Sequence, residues 1–572
     1  MARDVFRYLS ALLRGGLAPF WRQFRGESTL ADLAARWARQ LPHALALEVA
    51  GERLDYRQLD DAAQAAAQQL HALGARSGDV VALLGRNSVG YVALLLAGAR
   101  RGITLALVHP ELGAEPLRQA LAVAGASYVV CETSLEAVVR PACDLPLASF
   151  DAQSRAPFPL GAERLDFVPE RRERDFALVF TSGTTGLPKA CRLPHSRVLS
   201  AACLFGAPLF DFRRGDKLLC ALPLHHGSPL MLGLGSCLAT GTPLVLEPRF
   251  SASRLLTVAA SSGATALLYV GDLGRLLLAT PEGPSDRAHR LRLAVGNGMA
   301  PDVWQKFQAR FGVAHVREFY AATESPVGIF NLSGRVGSVG NLPFAWMFGL
   351  KLARLDADGE LVRDAQGRLC ECEVDEPGEL LVRARRSGLG VYHGYVDREA
   401  TEARLVRGAF APDDALFRTF DILRRDRDGF YYFVERGGDS FRFRSENVPV
   451  ALVERELLTT PGVLEALVTG VPIPGYDGRV GLAVLVSAPG FDVASLASLA
   501  SRLPRSALPR FVRVVSELRR TSSLKLQRRS WATDGVDPER VGDGELWVLQ
   551  NERYQRLDTE AYRDIVTGKL RL

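Results

Sequence analysis

The chain reads as an α/β protein in which a largely parallel sheet covered by helices is followed by a smaller α+β unit. Three observations predict this. From residue 30 to 150 helical stretches alternate with short apolar runs: helix at Ala62–Leu73, strand at Val80–Leu84, helix at Val92–Arg100, strand at Ile103–Val108, helix at Leu117–Ala124 and strand at Tyr128–Cys131. Alternation at this spacing is the pattern of parallel strands joined by helices. From about Gly340 to Glu435 short strand pairs are separated by turn signals at Asp358-Gly359, Glu376-Pro377-Gly378 and Asp428-Gly429, which suggests an antiparallel subdomain. After Arg436 a new pattern starts, and 572 residues exceed what one hydrophobic core serves.

At the start, Val5, Phe6, Leu9, Leu12 and Leu13 form an apolar stripe surrounded by Arg3, Arg7, Arg14, Arg22 and Arg25. Such a helix either docks on a membrane surface or packs on its own domain. Met1–Phe24 lacks a continuous apolar run and a small-residue cleavage site, so no secretory signal is expected. Residues 152–169 are polar and punctuated by proline, a connection leading to the apolar strand Phe176–Val179. Gly227–Leu246 carries no charge and has the length of a membrane span, but Ala239-Thr240-Gly241-Thr242-Pro243 divides it. A buried helix, a turn and the strand Leu244–Leu246 are expected there instead. Strands at Ala264–Tyr269 and Arg292–Val295 and a helix at Asp302–Phe311 continue the alternation. The final unit reads as helix Leu452–Leu458, strand Val463–Val471, strand Gly481–Val486, helix Val493–Leu503 and strand Val512–Val515.

The net charge of +6 is mild for this length, and no dense Lys/Arg block marks a nucleic-acid partner. Lysine occurs only at positions 189, 217, 306, 351, 525 and 569, which draws attention to Lys189 and Lys525. The eight cysteines are scattered, and Cys370-Glu371-Cys372 has the wrong spacing for a zinc pair, so reduced cytoplasmic thiols are expected.

The chemistry concentrates behind the strand Phe176–Val179, in Phe180-Thr181-Ser182-Gly183-Thr184-Thr185-Gly186-Leu187-Pro188-Lys189. Glycines let the backbone approach phosphate oxygens, while amides, hydroxyls and one ammonium supply donors. The Walker pattern Gly-x-x-x-x-Gly-Lys-Ser/Thr is absent. This stretch resembles the signature of the acyl-adenylate-forming superfamily. The resemblance implies a large N-terminal adenylate-forming domain of layered β-sheets and helices with an antiparallel subdomain, here 1–437, and a small mobile α+β C-terminal domain, here 438–572. It also implies ATP-driven activation of a carboxylate.

Further motifs carry the likeness. Glu318-Phe319-Tyr320-Ala321-Ala322-Thr323-Glu324 resembles the family's Tyr-Gly-x-Thr-Glu, which implies Tyr320 against adenine, Thr323 near the phosphate and Glu324 on Mg2+. A carboxylate suits that hard, oxygen-loving cation. Arg418-Thr419-Phe420-Asp421 with Arg436 resembles Thr-Gly-Asp and its later arginine, implying Asp421 on the ribose hydroxyls, Arg436 assisting, and Phe420 in a glycine's place. Thr521-Ser522-Ser523-Leu524-Lys525 resembles the catalytic-lysine segment, with Leu524 replacing glycine. Leu222-Pro223-Leu224-His225-His226-Gly227 resembles the segment lining the acyl side, which implies that His226 steers the carboxylate. Gly438 falls at the hinge about which the small domain turns, and Ser445-Glu446-Asn447 stands where the CoA-facing loop has Gly-Glu-Asn.

The segments Ala294–Trp304, Glu318–Ser325, Gly334–Gly340, Gly438–Phe443 and Tyr562–Leu572 are similar to the fatty-acid-transport and very-long-chain acyl-CoA synthetase group. The expected function is a long- or very-long-chain fatty acid–CoA ligase using ATP, Mg2+ and coenzyme A and releasing AMP and pyrophosphate. The expected site comprises Thr181, Ser182, Gly183, Thr184, Thr185, Gly186, Lys189, Tyr320, Asp421 and Arg436 for the nucleotide, with Lys525, Thr323, Glu324 and His226 for catalysis. An acyl tunnel is expected to begin near His226 and Gly296–Met299. Two alternatives stay open: a ligase that stops at the adenylate without using CoA, and a non-catalytic fatty-acid uptake or binding homologue. The partners are small molecules; the location is cytoplasmic, with contact at the inner membrane face and a homodimer as open options.

Overall fold

A computed structural model describes the chain except residues 1, 23, 25, 27, 162–163, 169–171, 183–187, 343–347, 357–359, 437–439, 444–445, 477 and 520–527, with the backbone alone at Ser182, Pro188, Arg436 and several others. The chain divides into one unit of Met1–Thr181 with Lys189–Glu435 and another of Arg436–Leu572 with Ser182–Pro188. The boundary expected between 437 and 438 lies outside the described residues.

The helix–strand alternation becomes two sheets in the first unit. One has six strands in the order Leu147–Phe150, Tyr128–Glu132, Val80–Leu84, Thr104–Val108, Asp175–Ser182, Pro188–Pro194, and the first five run parallel to their neighbours. The other has eight, in the order Ile329–Phe330, His315–Tyr320, Leu293–Asn297, Ala266–Val270, Leu218–Cys220, Leu244–Leu246, Leu45–Val49, Glu52–Asp55. Only its two outer pairs are antiparallel. Parallel strands are covered on both faces and so read as continuous apolar runs, which is why they were legible. Helix boundaries follow local chemistry. Tyr56–Leu73 begins in a reciprocal cap, where Asp55 Oδ1 accepts from the Gln58 amide (2.8 Å) and Gln58 Oε1 from the Asp55 amide (3.0 Å). It ends at Gly74, whose φ of 102° is left-handed. Leu59, Ala63, Ala66, Ala67 and Leu70 are its buried face.

The expected antiparallel subdomain is a sheet of Leu350–Ala353, Gly378–Arg383, Ala415–Arg425 and Leu405–Arg407, with Tyr431–Arg436 also paired to Ala415–Arg425. Residues 227–246 form helical turns over Pro229–Gly235 and Ser236–Thr240, a left-handed Gly241 and the strand Leu244–Leu246. Among the described residues no helix is long and apolar enough to cross a membrane. The N-terminal segment is helical over Ala2–Ala11, Leu12–Gly16 and Leu17–Arg22. Tyr8 stacks on Phe330 and donates to Leu204 O, and Gly16 lies against the Cys203 carbonyl, so this helix does pack on its own domain.

In the second unit Val463–Val471, Val480–Ser487, Phe511–Val515, Glu545–Gln550 and Arg553–Arg556 form a sheet in that order. The helix expected at 493–503 is a 3₁₀-helix over Val493–Ser501. Its sequence repeats every third residue: Val493, Leu496 and Leu499 are buried, and Ser495, Ser498 and Ser501 each donate to the carbonyl three residues back. Three residues per turn keep both rows aligned, which 3.6 would not.

Candidate active site

Parallel strands place the loops at their carboxyl ends side by side. Leu218–Cys220 runs into the segment with His225 and His226, Leu293–Asn297 into Gly298–Ala300, and His315–Tyr320 into Ala321–Ser325. Glu318 joins two of these loops. Its carboxylate accepts from the amides of Gly298 (2.8 Å) and Met299 (2.9 Å) and from the Tyr269 hydroxyl (2.6 Å). Gly296 fits where a Cβ would come 2.3 Å from the Tyr269 carbonyl.

Tyr320 is buried at the end of its strand, and its hydroxyl donates to Asp421 Oδ2 at 2.6 Å. The two expected nucleotide residues are therefore neighbours. Asp421 is itself held by a turn in which its amide donates to Thr419 Oγ1 (3.0 Å) and that hydroxyl donates to the Leu380 carbonyl (2.7 Å). Phe420, between them, has φ of 58°, the left-handed conformation that glycine adopts without strain. The backbone keeps the glycine-like turn, and the ring lies beneath two guanidiniums, Arg404 at 4.8 Å and Arg418 at 4.5 Å.

The turn 322–325 is clamped from below. The half-buried Arg197 guanidinium donates to the Thr323 carbonyl at 2.6 Å and to the Ser325 carbonyl, and the Ser325 amide donates to Ala322 O. Glu324 is 6% exposed; its Oε1 accepts from the Tyr395 hydroxyl (3.2 Å) and from Arg404 Nη2 (3.4 Å). Lys189 reaches the same place because residues 190–192 pair with 394–396 along the backbone, bringing its Nζ 5.8 Å from the Tyr395 ring centre. Partial burial, with Arg404 nearby, lowers the Lys189 pKa. Burial and the Glu324 charge raise that of Tyr395.

In the segment expected to line the acyl side, His226 is exposed at the surface although protein surrounds it closely. Loss of hydration, with His109 alongside, pushes its pKa down to about 4. His225 is buried between His109 (ring centres 4.8 Å) and His226 (4.4 Å), and both its ring nitrogens lack a hydrogen-bond partner. Burial holds its pKa well below the usual value. No group of three or more His, Cys, Asp and Glu suited to a metal occurs among the described residues. Gly227 abuts Thr323, whose Oγ1 a Cβ would approach to 2.9 Å, linking the loop with His226 to the Thr323–Glu324 turn.

Of the expected site residues, Lys189, Tyr320, Thr323, Glu324, Asp421 and His226 are thus described, and Thr181 is the half-buried penultimate residue of the strand Asp175–Ser182. Gly183, Thr184, Thr185, Gly186, Gly438, Ser445 and Lys525, and the side chains of Ser182 and Arg436, lie outside the described residues. Arg197, Tyr395 and Arg404 were not singled out from the sequence. No local pattern marks them, since each acts on residues 71 to 128 positions away.

Comparison with known proteins gives the family. The family model described as AMP-binding enzyme fits residues 34–396, and the AMP-binding enzyme C-terminal domain fits 452–525. Human long-chain fatty acid transport protein 1 is 33% identical over 597 residues, covering 100% of this chain and 92% of that protein. The medium/long-chain-fatty-acid–CoA ligase FadD6 of Mycobacterium tuberculosis is 36% identical, covering 89% of this chain and 86% of its own length. Among solved structures, a double mutant of o-succinylbenzoate CoA synthetase from Bacillus subtilis superposes with a TM-score of 0.71 at 25% identity, covering 88% of this chain and 98% of that one. The fatty acyl CoA synthetase of Mycobacterium tuberculosis superposes with a TM-score of 0.61 at 23% identity, over 89% and 99%. The chain belongs to the AMP-binding enzyme family and is an ATP-binding, adenylate-forming ligase.

Proposed function

We propose that the protein is a long- or very-long-chain fatty acid–CoA ligase. A carboxylate oxygen attacks the α-phosphorus of ATP and pyrophosphate leaves; the CoA thiolate then attacks the acyl carbonyl carbon and expels AMP. The observation that carries this reading is identity of 33–36% along nearly the whole chain with a long-chain fatty acid transport protein and a fatty-acid–CoA ligase. In this reading Thr181–Gly186 and Lys189 hold the phosphates, Tyr320 lies against adenine, and Asp421 accepts from the ribose with Arg436 assisting. Because His226 is neutral at physiological pH, it can donate a hydrogen bond to the acyl carboxylate without pairing with it as an ion. Lys525 and the Gly438 hinge keep the roles that the resemblance implies.

Glu324 fits Mg2+: it is a buried hard-oxygen donor whose Oε2 makes no hydrogen bond among the described residues. When bound, the cation neutralises triphosphate charge. Thr323, fixed by Arg197 through its backbone, is placed to orient a phosphate oxygen beside it. The exposed apolar row of the N-terminal helix supports peripheral contact with a lipid surface.

Incubation with ATP, Mg2+ and a panel of carboxylic acids, with and without CoA, tests the reading. Palmitate and longer acids should release pyrophosphate and, with CoA, yield the thioester; Lys525→Ala should abolish both. Acyl-AMP that accumulates without thioester formation would establish a ligase that does not use CoA. The absence of acid-dependent pyrophosphate release would leave only the uptake or binding homologue.

A further inference from the structure

Arg404 is the described cation nearest the metal-binding carboxylate proposed above, and its surroundings are unusual for a structural arginine. A neighbouring structural pair shows the contrast. Arg418 grips Glu379 through Nε at 3.0 and 3.2 Å and through Nη2 at 2.5 Å, a geometry that uses the guanidinium fork. Arg404 instead touches Glu324 through Nη2 at 3.4 Å and the Arg418 carbonyl through Nη1 at 3.4 Å, both at the long limit of hydrogen bonding. What fixes Arg404 is stacking: its guanidinium lies 4.8 Å from the Phe420 ring centre and 5.8 Å from that of Phe417, at only 12% side-chain exposure. Its backbone carbonyl also accepts from the Arg418 amide at 2.8 Å. The group is aimed by aromatic faces, and its nitrogens meet the Tyr395 hydroxyl besides the two long contacts to Glu324 and the Arg418 carbonyl.

The local charge balance favours an anion. Lys189, Arg197 and Arg404 all act on Glu324, and the other acid acting on Lys189, Asp397, is spent capping the helix Arg398–Glu402. Arg197 is committed to backbone carbonyls. Lys189 and Arg404 therefore converge on one buried carboxylate, and a cation bound there would displace them from it. Cations gathered at low exposure require anionic partners. A guanidinium matches the paired oxygens of a phosphate, and one freed from a carboxylate can turn to them.

We propose that Arg404 is a polyphosphate-binding residue: it rests against Glu324 and passes to the β- and γ-phosphate oxygens, or to pyrophosphate, when a divalent cation takes the carboxylate. This rests on the adenylating reading, and names a residue that reading does not include. Phe420 supplies the surface on which the guanidinium is carried.

The test compares binding of ATP, AMP and inorganic pyrophosphate to the full chain by calorimetry, with and without Mg2+. Arg404→Met should weaken ATP and pyrophosphate about 10- to 100-fold, the scale of charged hydrogen bonds, while AMP changes less than about twofold. Arg404→Lys should fall between. Glu324→Gln should tighten metal-free pyrophosphate binding several-fold, and only while Arg404 is present. A purely structural Arg404 would weaken AMP and ATP together; an unchanged ratio of ATP to AMP affinity in Arg404→Met overturns the proposal. If Arg404→Met does not fold, unaltered pyrophosphate affinity in Glu324→Gln overturns it alone. Wild-type protein that binds neither ATP nor AMP would instead overturn the adenylating reading.

Discussion

Phe420 shows at the scale of one residue how a family glycine can be replaced without losing its turn. A left-handed backbone at a side-chain-bearing residue costs roughly 1–2 kcal/mol, and φ here is 58°. Stacking under Arg404 and Arg418 returns about 0.5–1 kcal/mol for each partly exposed cation–π contact. Phe420→Ala keeps the strain and loses the stack, whereas Phe420→Gly loses both. The glycine variant should therefore unfold at higher denaturant than the alanine variant, by roughly 1 kcal/mol. Equal stability, or an advantage for alanine, would mean that the backbone is not strained in solution.

The N-terminal helix poses the question at the scale of an element. Its inner side is used up by Tyr8, Leu12, Gly16 and Phe20, yet Phe6 remains 73% exposed, Leu13 69% and Trp21 56%, with Leu9 and Phe24 also outward. Phe6, Leu9 and Leu13 recur at spacings of three and four, so they share a face. An exposed row of large apolar groups beside arginines suits an anionic bilayer. Phe6→Ser with Leu13→Ser should reduce cosedimentation with phosphatidylglycerol vesicles several-fold and leave ATP binding unchanged. Undiminished cosedimentation would assign any membrane affinity to another surface.

At the scale of the whole molecule, the first unit carries histidines that the fold keeps neutral. Burial lowers His195 to about 4, does the same for His393, and lowers His225 well below its ordinary value. An unfolded chain protonates these groups near 6.5. The folded pKa lies below the unfolded one, so between about pH 6.5 and 4 the unfolded state binds more protons and stability falls as the pH falls. Each fully buried histidine contributes at most about 1.4 kcal/mol per pH unit across that window. The melting temperature of the first unit should drop from pH 6.5 to 4, and His195→Gln should make the drop shallower. A profile that stays flat down to pH 4 would contradict the burial of these rings.

The sequence determined the class of fold and the parallel strands, and it displays the motifs proposed to hold the nucleotide, because each depends on local order. Apolar runs such as Val80–Leu84 and Val463–Val471 are strands with the limits that alternation predicts. The adjacency of Thr323 and Glu324 likewise needs no fold to be seen. The helix at 493–501 is legible in the sequence, and its rows of Val/Leu and Ser at every third residue match the three-residue turn it adopts. Tertiary structure alone decided what surrounds the motifs. Arg197 under the 322–325 turn, Tyr395 and Arg404 on Glu324, and Tyr320 on Asp421 are contacts across 71 to 128 positions. Strand order, not sequence distance, brings such residues within hydrogen-bonding reach, and no single-chain periodicity records it.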